Sequence, residues 1–495
     1  MKAMSFFRSF TMTSTAFLIT MTLGAVTAKI IAVLAGPAGI TVFFQLRQTG
    51  QILTMFGTLN GQNSVIRGVA ARDGLSKQKY ILTTGVLFAL GIAVTVVVFV
   101  PLVPFAAKLL FPSGETALLN TVYYIAPLAF LGAMTFYYQA VLNGLRRLRA
   151  LALSRVFGSL TSVLLVYPCS LLVHPVGYIF IVAGGFIASS ITSAFLLRSS
   201  GWRFAGFLPP ISFQAGWEKK SVLDFLPFAA VTLVTGVSGA ATVMIIRTLY
   251  IREGGLELGG IFDAAWTTSM MYVMLLLSSF STQFLPVLSG AKSDNEIGEI
   301  TASAFKIAVI WGTVLVCTAI ALKGTLIRTM YSNEFLPATE LLRWTMIGDY
   351  FKITSWVFGM ILIAKANSRV FVLSEVTQQI VLVGTVHLFL QYSREAAGVA
   401  YLFVNMAYLA FVWLYTSFTY KVKIGKSTLQ TWAFGLLMVA VLSFLTWHDT
   451  SQFNVTALLT LSMMTLVFLR FSVPASIRSQ IIDYVKKSFS TTQEK

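Results

Sequence analysis

"VTAKIIAVLAGPAGITVFFQLRQTG", residues 26–50, reads as an apolar helix, a tight turn at GPAG, and a second apolar helix running back. Each helix carries a cation well inside its apolar run, Lys29 on the way up and Arg47 on the way down. A hairpin of this kind belongs in a bilayer, and its two charges need a reason to be there.

The rest of the chain agrees with the hairpin. Its 495 residues are 56% hydrophobic and 11% charged, with a mean hydropathy of +0.79, whereas soluble domains carry about 25% charged residues. The class expected is an all-α polytopic membrane protein. About fourteen windows of some 20 apolar residues can be placed, from residues 12–35 to 453–471, each long enough to cross the hydrocarbon layer. No stretch between them is long enough for a separate soluble domain. The first span is too long for a secretory signal and lacks the small-residue cleavage site, so it reads as a retained helix. Cys169 and Cys317 both fall in apolar spans far apart in sequence, which argues against a disulfide framework.

The formal net charge is +18, but its distribution argues against nucleic acid as a partner. Counting alternate loops from the N-terminus, one side collects Arg67, Arg72, Lys77, Arg146, Arg147, Arg149, Lys219, Lys220, Lys365, Arg369, Lys421 and the basic tail. The opposite loops hold few cations. This positive-inside bias places both termini in the cytoplasm and supports an even number of spans.

The chain also repeats. Lys29 followed by Gly36 matches Arg247 followed by Gly254, and "RALALSRV" (149–156) matches "RVFVLSEV" (369–376), both at a shift of about 220 positions. The matches imply two six-helix lobes related as parallel repeats, residues 1–215 and 216–420, with 421–495 adding two more helices and a tail. Transporters built from such repeats enclose their site between the halves. The loop 198–220, with Trp202, Phe204, Phe207 and Trp217 beside its cations, suits a linker in the membrane interface, and the tail from 474 reads as a basic amphipathic helix on an anionic leaflet.

Three cations stand out by depth. Lys29, Arg47 and Arg247 each lie seven or eight residues from a glycine at an outer turn, which puts each roughly 10–12 Å below the outer face at 1.5 Å rise per residue. Snorkelling to the interface is the plain alternative for Lys29 and Arg247; Arg47 has apolar helix on both sides. With few acids nearby, the missing negative charge is assigned to a ligand, and a phosphate or diphosphate matches the donors of Arg and Lys. Among the acids, Asp263 either pairs with Arg247 or takes part in gating or coupling. Asp349 and Lys352, three apart on one helical face, read as a self-satisfied ion pair or as residues of gating or cation coupling. Glu375, in the eleventh span, has no sequence-local cation beyond Arg369 and is a candidate titrating carboxylate or the acceptor of a structural hydrogen bond.

Some chemistry is not indicated. His174, His387 and His448 are not paired at metal spacing, and no long outer loop offers a site for glycosyl transfer. "GKST" at 425–428 lacks the upstream glycine of a phosphate loop, since that position is Tyr420. Neither a catalytic centre, a metal nor a cofactor is expected.

The runs "KIIAVLAGPAGITVFFQLRQ" and "LRWTMIGDYFKITSWVFGMILIAKANSRVFVLSEV" (342–376) resemble Wzx-type flippases of the polysaccharide transport branch of the MOP superfamily. The resemblance covers about residues 10–420. It implies two six-helix lobes in the bacterial inner membrane, alternating between inward and outward openings, and an undecaprenyl-diphosphate oligosaccharide as cargo. It also implies a cationic central cavity, which Lys29, Arg47 and Arg247 fit, and a polysaccharide polymerase and chain-length regulator as partners besides membrane lipids. The membrane potential, or a proton or other ion gradient, is the expected energy source. Two other readings stay open: an exporter of drugs or metabolites, which calls for an acidic cavity, and a membrane glycosyl-processing enzyme, which calls for a cluster of acids or histidines.

Overall fold

The computed structural model describes residues 2–112, 116–172, 175–199, 218–447 and 455–472. The interfacial linker and the amphipathic tail read from the sequence lie largely outside them. The described residues form fifteen α-helices and no strands: α1 (Lys2–Thr58), α2 (Gln62–Ala70), α3 (Gly74–Leu110), α4 (Thr116–Thr121), α5 (Ile125–Gly144), α6 (Leu148–Leu172), α7 (Gly177–Arg198), α8 (Lys219–Gly290), α9 (Asp294–Ala321), α10 (Lys323–Met330), α11 (Ala338–Ala364), α12 (Ser368–Phe389), α13 (Ala396–Thr419), α14 (Lys426–Leu445) and α15 (Val455–Ser472). A bilayer leaves backbone groups no water to bond, so apolar runs of this length close their hydrogen bonds within helices. Side-chain hydroxyls inside the runs do the same. Thr49, Thr54 and Thr58 each donate to the carbonyl one turn back, at 2.8, 2.8 and 2.7 Å.

Eleven helices among the described residues are long and apolar enough to cross a membrane. Fewer than the expected fourteen are counted partly because α1 and α8 are each two helices joined at a sharp break. In α1 the break is Gly36, at φ 59° and ψ −160°; in α8 it is Gly254 and Gly255, the latter at φ 72°. Pro37 explains the first. Its ring excludes helical backbone at the residue before it, and its fixed φ starts the next helix well. A side chain at 36 would be strained by the left-handed φ, and its Cβ would sit 3.1 Å from the Glu334 Oε2. Gly36→Ala is therefore expected to cost about 1–2 kcal/mol, seen as a lower midpoint of thermal unfolding in detergent. An unchanged midpoint would contradict this account of the turn.

By packing, the chain forms two compact units. The first comprises Met1–Ala264, Arg328–Ala338 and Val372–Ala396; the second comprises Ala265–Ile327, Thr339–Phe371 and Ala397–Lys495. The repeat-based division into 1–215, 216–420 and 421–495 is kept as a proposal. In the first unit, Phe88 of α3 packs its ring 5.4 Å from Tyr137 of α5 and 6.1 Å from Phe225 of α8. The backbones of α1 and α3 touch where a Cβ on Gly91 would fall 2.2 Å from the Gly57 carbonyl oxygen, the small-residue contact typical of membrane helices.

In the second unit, Phe305 of α9, Phe358 of α11 and Trp413 of α13 form an aromatic cluster with centroids 5.2–6.0 Å apart. The two added helices belong to this unit: α14 packs on α9, and α15 on both. Two buried cations close the far end of α14. Lys323 donates to the Thr446 carbonyl, and Arg343 donates to the Trp447 carbonyl at 3.1 Å while its guanidinium lies 4.1 Å over the Trp447 ring. Carbonyls at a helix C-terminus lack intrahelical partners and carry partial negative charge, so they accept cations without any carboxylate.

Candidate functional site

Within the first unit, four helices line an open cavity of about 400 Å³. Each lines it at helical spacing, which puts the residues of one helix on one face. From the second leg of α1 come Phe43, Arg47, Gln51 and Thr54; from α6, Arg155, Ser159 and Ser162; from α5, Thr135 and Gln139; from α7, Gly185 and Ser189. Close approach of α6 and α7 rests on Gly158 and Gly185, where a Cβ on Gly158 would lie 2.8 Å from the Gly185 carbonyl.

The polar wall is ordered from behind. Arg155 Nε donates to Gln139 Oε1 at 3.2 Å, Gln139 Nε2 donates to Ser189 Oγ at 3.0 Å, and Ser154 Oγ lies 2.8 and 2.7 Å from the hydroxyls of Ser189 and Ser193. Arg47 has neither an ion pair nor a hydrogen bond among the described residues. The lining includes two arginines and no carboxylate. A cavity of this composition in an apolar surround favours an anion, and two guanidinium forks match the oxygens of phosphate.

Of the three cations chosen by depth, only Arg47 lines this cavity. Arg247, 2% exposed, directs Nε to both carboxylate oxygens of Asp263 at 2.6 and 2.8 Å. Its Nη1 reaches Gln45 Oε1 at 2.9 Å, and Gln45 in turn bonds Thr248 at 3.1 Å. The expected shortage of acids is thus corrected for Arg247: of the two readings open for Asp263, the pair is the one present. The break at Gly254–Gly255 makes it possible, because it folds the second leg of α8 back past the first.

Lys29 is half-buried and donates to two backbone carbonyls, those of Arg328 at 2.7 Å and of Tyr331. These carbonyls lie in the last turn of α10 and just past it, so Lys29 caps a helix end. Lys29→Met is expected to lower stability by about 1 kcal/mol, read as a lower melting temperature. A variant that melts like wild type but loses activity would instead make Lys29 a ligand to the substrate.

In the second unit, Asp349 is not held by the ion pair that was one of its two expected readings. Asp349, fully buried, accepts hydrogen bonds from Ser269 Oγ at 2.7 Å, from Tyr401 OH at 2.9 Å and from Tyr272 OH. No ion pair joins it to Lys352, whose ammonium lies 5.7 Å from the Tyr401 ring centroid. Three hydroxyl donors from α8 and α13 satisfy the carboxylate in place of the lysine that the ion-pair reading calls for. Glu375, on α12 and half-buried, is placed by packing in the first unit.

Arg155 is the site residue that sequence reasoning missed. It lies within the quoted repeat match, and the signal that would have found it is the run Arg155, Ser159, Ser162 along one face of an otherwise apolar helix.

The comparisons with known proteins bear on this arrangement. The family described as polysaccharide biosynthesis protein matches residues 6–292. The chain belongs to that family. Over 395 residues this family member is 26% identical to the lipid III flippases of Escherichia coli and Shigella flexneri, covering 78% of the chain and 92% of each relative. Its fold matches the lipid II flippase MurJ in an inward closed conformation, with a TM-score of 0.69 at 15% identity over 95% of this chain and 99% of that one. It also matches an inward-facing multidrug resistance MATE family transporter of the MOP superfamily, with a TM-score of 0.68 at 14% identity over 86% and 96% of the two chains. At those identities the structural likeness is one of fold.

Proposed function

We propose that this protein flips a lipid-linked oligosaccharide across the bacterial inner membrane, holding the lipid's diphosphate between Arg47 and Arg155. The observation that carries the reading is the cavity in the first unit, with two arginines in its lining and no carboxylate. The similarity to lipid III flippases supports the cargo class. A diphosphate brings about two negative charges, which two guanidinium groups neutralise by bidentate bonds. Gln51, Ser159 and Ser162 offer donors and acceptors suited to sugar hydroxyls, while the prenyl chain stays in lipid.

The membrane carries the protein with both termini in the cytoplasm, following the charge bias of its loops. Carrying an anion toward the positive outer side is assisted by the membrane potential at about 2.3 kcal/mol per charge per 100 mV, so transport needs neither a cofactor nor a bound nucleotide. An exporter of cationic drugs fits the fold equally well but not this lining, which would repel its cargo.

The test is reconstitution in vesicles with a fluorescent undecaprenyl-diphosphate oligosaccharide and leaflet-specific detection. Translocation that depends on the protein and on the diphosphate, and is lost when a neutral prenyl glycoside is used, is the expected result. Equal movement of both lipids would overturn the diphosphate grip.

A further inference from the structure

A second cavity, of about 570 Å³, opens in the first unit where α2 ends and α3 and α8 begin. Its charged lining consists of Arg67, Arg72 and Lys220 against Glu218 and Asp224. Both acids are already engaged. Asp224 pairs with Arg72, whose guanidinium is held 4.1 Å over the Tyr80 ring and donates to the Gly68 carbonyl at 3.0 Å. Glu218 accepts from the Ser221 hydroxyl.

What remains is a donor set for an anion. Arg67 and Lys220 are exposed and have no ion pair or hydrogen bond among the described residues. Ser64, another lining residue, is only 4% exposed, and its hydroxyl has no hydrogen-bond partner among the described residues. A buried hydroxyl left unpaired costs free energy unless a ligand completes it. Apolar side chains continue from the charged rim, since Leu223, Leu226 and Phe228 at the start of α8 are 60%, 39% and 37% exposed. Cations beside exposed apolar side chains at a helix end make a headgroup-and-chain surface, as basic pockets between membrane helices do for anionic lipids.

We propose that this cavity seats the phosphate of a membrane-lipid headgroup, gripped by Arg67 and Lys220 with Ser64 donating, on the side of the membrane that the loop charges assign to the cytoplasm. The site is separate from Arg47 and Arg155 and stands whether or not those residues hold the cargo. The same phosphate chemistry is offered by anionic phospholipids and by the diphosphate lipid awaiting transport.

The test is native mass spectrometry of the full chain in a neutral detergent with phosphatidylglycerol, phosphatidylcholine or undecaprenyl diphosphate added. Wild type is expected to retain phosphatidylglycerol over phosphatidylcholine. Retention of phosphatidylglycerol should fall about fivefold in Arg67→Gln or Lys220→Gln and about thirtyfold in the double variant, with Ser64→Ala also weakened. If undecaprenyl diphosphate alone shows this dependence, the lipid bound is the transported one and the phosphate site stands. Equal retention of phosphatidylcholine, or single variants that melt and bind like wild type for both anionic lipids, would overturn it.

Discussion

Replacing Arg47 and Arg155 together by glutamine is expected to abolish translocation while leaving the protein folded. A hydrogen bond to a charged group is worth about 1.5–3 kcal/mol, so each single variant should lose roughly ten- to a hundredfold in transport rate if the grip acts in the rate-limiting step. The double variant loses both forks. Stability should change little, because Arg47 has no protein partner among the described residues and Arg155 has a single hydrogen bond, to the uncharged Gln139, which glutamine at 155 can also donate. Lysine at either position keeps the charge but loses the planar fork, so Arg47→Lys and Arg155→Lys are expected to fall between wild type and the glutamine variants. The measurement is leaflet-specific detection of labelled lipid in vesicles, with melting temperatures taken on the same preparations. Transport in the double variant within twofold of wild type would remove the cavity from the mechanism.

The Arg247–Asp263 pair should show the opposite signature, a large loss of stability. Both groups are buried, at 2% and 1% exposure, and removing one leaves an uncompensated charge in an apolar interior. Asp263→Asn or Arg247→Met is expected to destabilise the protein by about 3–5 kcal/mol, seen as a sharp drop in melting temperature and in yield from membranes. Replacing both, as Arg247→Met/Asp263→Leu, should recover most of the loss, because a buried pair and a well-packed apolar pair are often close in stability. Transport in the recovered double variant then assigns the role of Arg247. Near-normal transport marks the pair as a structural tie; a stable protein that no longer transports would return Arg247 to the substrate grip.

These two results together would explain why cations alike in sequence context behave differently. The hairpin at 26–50 announces its own topology: two apolar runs, a glycine–proline break between them and no polar stretch long enough to leave the membrane. The class, the helix pairs around Gly36 and Gly254–Gly255, and the loop-charge bias all follow from such local features, because apolar length and backbone closure within a helix are properties of a segment. Arg47 was legible on the same ground, as a charge with apolar helix on either side. Arg155 was not. It stands near the start of α6, where a cation looks interfacial, and at that position the second repeat carries Glu375, so the match between "RALALSRV" and "RVFVLSEV" breaks at the residue that matters.

The composition and order of the residues place cations inside the apolar runs of this chain. Which charges are spent and which are free was set by packing. Asp263 reached Arg247 through a turn in α8, the carbonyls that hold Lys29 come from about 300 residues further along, and three hydroxyls took the place expected for Lys352 at Asp349. The energetic cost of burying an ion is inherent in the side chain and can be read along the chain, but its compensation depends on distances of about 3 Å between groups remote in sequence. Those distances exist only once the helices have closed around one another.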